Sequence, residues 1–342
     1  MIRLLGKKKI VIYSLILLAV ILAGVLTAVL TKVSIPLPAQ LRIALYTRNK
    51  PYAEVSVAVI TPEGTDIRTY GHDGRILEPS DRQYEIGAVT KTFTGALAAR
   101  AVIRGEVSLS QDVSQFLPVS PGAYTPTLKD LVTHTSAYGP YMPEGGGRNG
   151  NPYSGINDFD VLYAMNGYKL TYESPFIYSY SDFGTAAVGI MLGDLYREDY
   201  CTVLNDFVHL DLGLRNTTVC LDAPLKNGWK WLPDDAYIAS FGLVSTIQDM
   251  AQYVKQYLNG GTDYLDLSIV PMKEINEDSS IGYFWAISKS GLVGHGGETE
   301  HYSSQIYMDP AKGTAVIVLS NYGTDKYGSV RDIAEAIIRE NG

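Results

Sequence analysis

Lys91 stands three residues after Ala88 in the stretch E-I-G-A-V-T-K-T-F, Glu85 to Phe93. On a helix that interval turns two side chains to one face, an arrangement in which a lysine amine can assist a serine hydroxyl in acyl transfer. Such chemistry needs a nucleophile, a group that takes its proton, an acid for the leaving atom and donors for the oxyanion. Here the lysine is present and the nucleophile position holds alanine. Thr90 and Thr92 offer no replacement, because neither has a lysine three residues on. Two further clusters carry titratable groups, Tyr180-Ser181-Asp182 and Gly294-His295-Gly296-Gly297-Glu298. His295, Glu298 and His301 also invite a metal reading. The H-E-x-x-H arrangement needs a helix, however, and Gly296 and Gly297 break helical periodicity. With no zinc-type cysteine pattern either, neither metal nor cofactor is expected.

The elements that must position these groups can be read from periodicity. Alternation in E-V-S-V-A-V-I-T, a turn at Pro62-Glu63-Gly64 and T-D-I-R-T-Y-G predict a β-hairpin. T-K-T-F-T-G-A-L-A-A-R-A-V-I-R-G predicts a helix with Phe93, Leu97 and Ala101 on one side and Gly105 at its end. The middle of the chain reads as helices and long loops, with a short helix opened by a Thr127–Asp130 capping box. S-S-Q-I-Y-M and T-A-V-I-V-L-S-N form a second hairpin across D-P-A-K-G. A last helix follows, with Val330, Ile333, Ala334, Ile337 and Ile338 as its apolar stripe. Strands, an inserted helical region, strands and a helix predict an α+β domain whose antiparallel sheet is built from both chain ends.

Five blocks in this order resemble the motifs of the serine β-lactamase and penicillin-binding protein superfamily, specifically its class C β-lactamase and D-Ala-D-Ala carboxypeptidase branch. E-I-G-A-V-T-K-T-F-T resembles E-I-G-S-V-T-K-T-F-T, and L-V-T-H-T-S resembles L-L-T-H-T-S. Tyr180-Ser181-Asp182-Phe183-Gly184 resembles Y-S-N-x-G. A-S-F-G-L-V-S-T-I-Q-D-M resembles A-S-G-G-L-x-S-T-x-x-D-M, and G-H-G-G-E-T resembles the G-H-x-G strand. The resemblance covers nearly everything after Pro51 and implies a β-lactamase/transpeptidase-like fold. It implies Ala88 at the nucleophile position, Lys91 as its proton-transfer partner, Tyr180 as proton shuttle and Asp182 where many members have asparagine. His295 would line the cleft, and the backbone N–H groups of residues 88 and 298, beside Gly297, would form the oxyanion hole. Asp182 would oppose the lowering of the Lys91 pKa that a base needs, more than an amide would. His134 reads as a structural hydrogen-bonder. The loop Met142–Gly155 is either a solvated connection or a substrate-gating loop, with Tyr138, Tyr141 and Tyr153 as an aromatic wall.

Without an Oγ at residue 88 no acyl-enzyme can form, and loss of such a nucleophile costs about 10⁶-fold in another serine hydrolase. The leading expectation is therefore a hydrolase scaffold for D-amino-acyl, peptide or ester substrates of the cell envelope, inactive as written. The alanine is either an engineered exchange or a natural loss, and retention of Lys91, Tyr180 and His295 favours a recent or deliberate one. The competing expectation is a non-catalytic module recognising peptidoglycan or teichoic-acid D-alanine.

Composition agrees with an extracytoplasmic domain. The chain has 342 residues, 46% hydrophobic and 19% charged, as in folded proteins. A net charge of -8 argues against nucleic acid, whose phosphates need a basic face. Residues 1–9 carry Arg3, Lys7, Lys8 and Lys9 ahead of an apolar run at 10–31. At about 1.5 Å per residue such a run crosses a bilayer core of about 30 Å, which predicts one transmembrane helix with a cytoplasmic N-terminus. A cleaved signal would be shorter and end in a recognisable site. Residues 32–50 read as a linker or a short helix, and 51–342 as the folded domain. Cys201 and Cys220 would suit a disulfide worth about 3 kcal/mol in an oxidising exterior, or two buried thiols.

Overall fold

The computed structural model describes residues 37–120, 123–140, 143–147, 150–168, 177–219, 225, 227–326 and 328–341. Its strands are β1 (Val55–Thr61), β2 (Gly64–Tyr70), β3 (Ile76–Leu77), β4 (Gln83–Glu85), β5 (Thr218–Val219), β6 (Leu243–Thr246), β7 (Lys273–Asn276), β8 (Ser279–Ile281), β9 (Ala286–Ser288), β10 (Val293–Glu298), β11 (Ser303–Asp309) and β12 (Thr314–Ser320). Its α-helices are α1 (Ala39–Thr47), α2 (Thr90–Ile103), α3 (Leu128–Val132), α4 (Asp158–Gly167), α5 (Asp182–Tyr196), α6 (Tyr200–Asp206), α7 (Ile238–Phe241), α8 (Ile247–Asn259), α9 (Asp263–Ser268) and α10 (Val330–Asn341).

Both predicted hairpins form, β1 with β2 and β11 with β12. β1 then pairs along its length with β12, so the two ends of the folded unit meet in the middle of an antiparallel sheet ordered β3-β2-β1-β12-β11-β10-β9-β8-β7. β10 pairs with β11 throughout but with β9 only at Val293 and Gly294. Residues 295–298 therefore present a sheet edge with no neighbouring strand among the described residues. That edge meets the turn before α2. A second, small sheet, β4-β6-β5, holds the strand that leads into this turn.

Each face of the large sheet is covered. On one side Ile43 and Tyr46 of α1 and Ile333, Ala334 and Ile337 of α10 pack on Val55, Val57, Val316 and Val318. The apolar stripe of α10 faces the sheet as its periodicity predicts, with Ile338 half-buried at the margin. On the other side lie α2, α5, α7 and α8, with Phe93 of α2 stacked on Tyr253 of α8 at 4.0 Å. α2 differs from its predicted one-sided pattern. Almost every residue from Thr90 to Ala101 is buried because the helix runs between sheet and helical region. It ends at Ile103, and Gly105 takes φ +69, which suits glycine. The Thr127–Asp130 capping box closes α3 at its start.

One boundary moves. The segment read as a linker or a short helix carries the helix α1, and Tyr46 Oη donates to Tyr322 O at 2.6 Å, so the folded unit begins at Ala39, ahead of Pro51. The predicted span at 10–31 lies outside the described residues, and among those described no helix is long and apolar enough to cross a membrane. Cys201 is buried in α6, and Cys220 lies outside the described residues.

Candidate active site

The nucleophile position sits on a single 3-10 turn, Gly87–Val89, between β4 and α2. Two glycines allow this turn to lie against β10. Gly87 has φ +52, and a Cβ on it would stand 2.7 Å from Glu298 N. A Cβ on Gly297 would stand 2.1 Å from Ile86 O and 2.8 Å from Ala88 N. Any side chain at these two positions would force the backbones apart. Two side-chain clamps hold them together. Ser304 Oγ donates to Ile86 O at 2.7 Å. The buried Glu85 carboxylate accepts from Thr299 Oγ1 at 2.6 Å and from the Trp229 N–H. Burial pushes the Glu85 carboxyl above its ordinary range, against the pull of those two bonds. The main chain of residues 88 and 298 is thus brought together at the N-terminus of a 14-residue helix, where the helix dipole favours negative charge. Ala88, the residue the sequence resemblance aligns with a serine, is buried in this turn.

Lys91, one turn further along, is completely buried. Its Nζ lies 2.8 Å from Asp182 Oδ1 and 3.3 Å from Ser240 O. It also lies 4.0 Å from the centroid of the Phe241 ring and 5.2 Å from that of Tyr180, close enough for cation–π attraction. Burial pushes the Lys91 ammonium below its ordinary value, and the Asp182 carboxylate opposes that fall. Asp182 opens α5, with Ser181 as its cap, and receives the Tyr153 hydroxyl on Oδ2 at 3.1 Å. Ser240 Oγ donates to Asp182 O at 3.2 Å, so the dipeptide Ser240-Phe241 touches both members of the ion pair.

Two histidines border this region. His134, with φ +54, accepts Ser181 N–H on Nδ1 and Ser179 N–H on its carbonyl, which anchors the backbone on either side of Tyr180. Its ring lies 4.6 Å from that of Tyr180. An Nδ1 that accepts carries no proton, so the neutral ring holds its hydrogen on Nε2. Burial first, and Lys91 second, keep His134 well below its usual pKa; the same two causes lower His295 to about 4. The Tyr180 residue is 37% exposed, but desolvation of its hydroxyl end raises that group above its ordinary 10, so Tyr180 is a neutral phenol.

Of the residues singled out in the sequence, Asp182 and Tyr180 lie around Lys91, His295 is near enough to feel the Lys91 charge, and Gly297 and Glu298 meet the turn that carries Ala88. Tyr153 joins through Asp182 and stacks on Phe241 at 4.6 Å. Tyr138 does not join. It is buried against Phe183 and Tyr168, edge to face with each at 4.9 Å, and forms core rather than cleft wall. Tyr141 and part of the Met142–Gly155 loop lie outside the described residues. The Glu298 carboxylate turns to Thr324 N–H at 2.7 Å. Among the described residues no group of three or more His, Cys, Asp or Glu is placed to hold a metal. Sequence reasoning missed Glu85, Ser240, Phe241, Thr299 and Ser304. Only Phe241 had a local signal, as the residue in A-S-F-G-L where the resembling motif has glycine.

Comparison with known proteins places this geometry. A beta-lactamase from Providencia stuartii is 28% identical over 195 residues, 52% of this chain and 47% of that protein. Protein flp of Staphylococcus aureus strain N315 is 23% identical over 295 residues, 75% of this chain and 57% of its own length. The chain thus spans about half the length of these curated relatives. Among solved structures, a beta-lactamase/D-alanine carboxypeptidase from Yersinia pestis complexed with citrate matches with a TM-score of 0.72 at 17% identity, over 88% of this chain and 97% of that one. An octameric penicillin-binding protein homologue from Pyrococcus abyssi matches with a TM-score of 0.69 at 20% identity, over 84% and 73%. At such identities the structural likeness shows the fold alone. The family model described as beta-lactamase matches residues 48–340, and the chain belongs to the beta-lactamase family.

Proposed function

We propose that this chain is a non-turnover receptor derived from a serine acyl-transfer enzyme, holding D-amino-acyl, peptide or ester groups of the cell envelope in its cleft. The observation that carries this reading is the contrast at residue 88. The close packing of the turn against β10 supports an oxyanion cradle there, while the side chain at the expected attacking position is a methyl. A carbonyl or carboxylate oxygen placed there meets main-chain donors at a helix N-terminus, and no covalent step follows. One fold neighbour, a beta-lactamase/D-alanine carboxypeptidase complexed with citrate, supports an acyl or carboxylate ligand of this kind. The apolar run at 10–31, with basic residues before it, supports anchoring on the outer face of a membrane, beside the ligand's source.

Calorimetric titration of the full chain with a D-alanyl-D-alanine-terminated peptide and its L-alanyl counterpart tests the reading. Saturable binding selective for the D form, with unchanged protein mass, is expected. Absence of binding, or an acyl mass increment on the chain as written, contradicts it.

A further inference from the structure

The proton-handling side of the cleft holds a second barrier. We propose that Phe241, together with Asp182, fixes Lys91 as a structural cation, so that a serine introduced at position 88 would not by itself become acylated. This rests on the reading of the cleft as an acyl-transfer scaffold.

In acylation the serine Oγ–H bond breaks and its proton passes to an unprotonated amine. The Oγ–C bond forms at the ligand carbonyl, the C–N bond breaks, and the departing nitrogen takes a proton from a neighbouring hydroxyl such as that of Tyr180, which regains one from the ammonium formed in the first step. The first of these steps needs a free lone pair on Lys91 aimed at residue 88. In this chain Lys91 Nζ is held at 2.8 Å by the Asp182 carboxylate and at 3.3 Å by Ser240 O, with the Phe241 ring 4.0 Å away. An ammonium gains from all three contacts, which oppose the burial that lowers its pKa, and a neutral amine gains less from each.

The ring is itself fixed. Phe241 is buried between Tyr153, stacked at 4.6 Å, and Trp229, edge-on at 5.7 Å. Tyr153 also stacks on Tyr237 at 4.8 Å and donates its hydroxyl to Asp182. The aromatic stack and the carboxylate therefore form one unit around the ammonium. Phe241 is a positioning residue, acting through Lys91. Glycine at 241 admits water beside the amine, and asparagine at 182 removes the charge that retains its proton.

Four forms of the full chain in detergent micelles separate the possibilities: the chain as written, Ala88→Ser, Ala88→Ser/Phe241→Gly and Ala88→Ser/Phe241→Gly/Asp182→Asn. Each is incubated with a fluorescent penicillin, scored for covalent adduct by mass, and titrated with the D-alanyl-D-alanine-terminated peptide. The first two should give no adduct, and the last should acylate at least 100-fold faster than Ala88→Ser. Acylation of Ala88→Ser within tenfold of the triple variant overturns the inference and leaves the scaffold reading standing. A triple variant that binds peptide but forms no adduct overturns it too. If no form binds or acylates, the scaffold reading itself fails. Phe241→Leu, which fills more of the site but removes the ring face, replaces Phe241→Gly if that variant does not fold. A readout apart from acylation is the labelling of Lys91 by an amine-acetylating reagent. It should rise at least tenfold in Phe241→Gly or Phe241→Leu, and unchanged labelling overturns the proposal.

Discussion

The two halves of the cleft are built on different kinds of contact. In one half main chain meets main chain: Gly87 and Gly297 let the turn and β10 approach, and Glu85 and Ser304 clamp them. In the other half charged and aromatic side chains meet, with Lys91 paired to Asp182 under Phe241. On the proposed function, recognition and turnover depend on different atoms of the cleft, so each can be altered without the other. Lys91 is completely buried and paired with Asp182, so it has a packing role in this chain whatever residue stands at position 88.

Perturbing one half at a time should separate stability from binding. The largest effect falls on the half around Lys91. Lys91→Met leaves the Asp182 carboxylate without its cation, and breaking a buried pair costs about 3–5 kcal/mol. The lower end is expected because Asp182 is 22% exposed. Denaturant unfolding should show that loss, Lys91→Met/Asp182→Leu should recover most of it, and peptide affinity should stay within a few fold. A Lys91→Met variant as stable as the parent would mean that the lysine is not structural.

Glu85→Ala strikes the other half. It strands the Trp229 N–H and the Thr299 hydroxyl, a cost of about 1–3 kcal/mol, and loosens the turn against β10. Stability and peptide affinity should fall together. Affinity retained at full strength would show that the clamp does not shape the cradle.

Acid should weaken the domain through the two histidines between the halves. Both fold with pKa values below the ordinary 6.5, His295 at about 4. The unfolded chain therefore binds protons first as pH falls, and their contribution to stability is lost between about 6.5 and 4. Glu85, raised in the folded state, acts with the opposite sign just above its ordinary 4.5. A series of melting curves should show the fall, and His134→Asn, which suits the positive φ there, should flatten it. A profile flat from pH 7 to 4.5 in the parent would contradict the assignment. The smallest effect is that of Ser304→Ala, which removes one hydrogen bond to Ile86 O, about 1 kcal/mol. Its melting temperature should drop by a few degrees.

Much of this was legible where a local pattern carried it. Alternation located β1, β2, β11 and β12. Periodicity located α10, and the Thr127–Asp130 pair located α3. The remaining strands of the sheet are three or four residues long near β7 to β9, too short for alternation to show. α1 was obscured by the prolines before it. The clamps joining Glu85 to Thr299 and Ser304 to Ile86 bridge more than two hundred residues, and no local signal announces such a bond. Tyr138 was misplaced because aromatic residues near a cleft motif serve a wall or a core equally well. The packing of Phe183 and Tyr168 decided for the core.

The central claim, an intact cradle beside a disabled proton relay, is tested most directly by following the backbone amides of Ala88 and Glu298 by ¹⁵N NMR during titration with the D-alanyl-D-alanine-terminated peptide. Both resonances should move together and saturate at one ligand per chain, while intact mass shows no adduct. Two amides that stay still while the peptide binds elsewhere, or an adduct on the chain as written, would contradict the account.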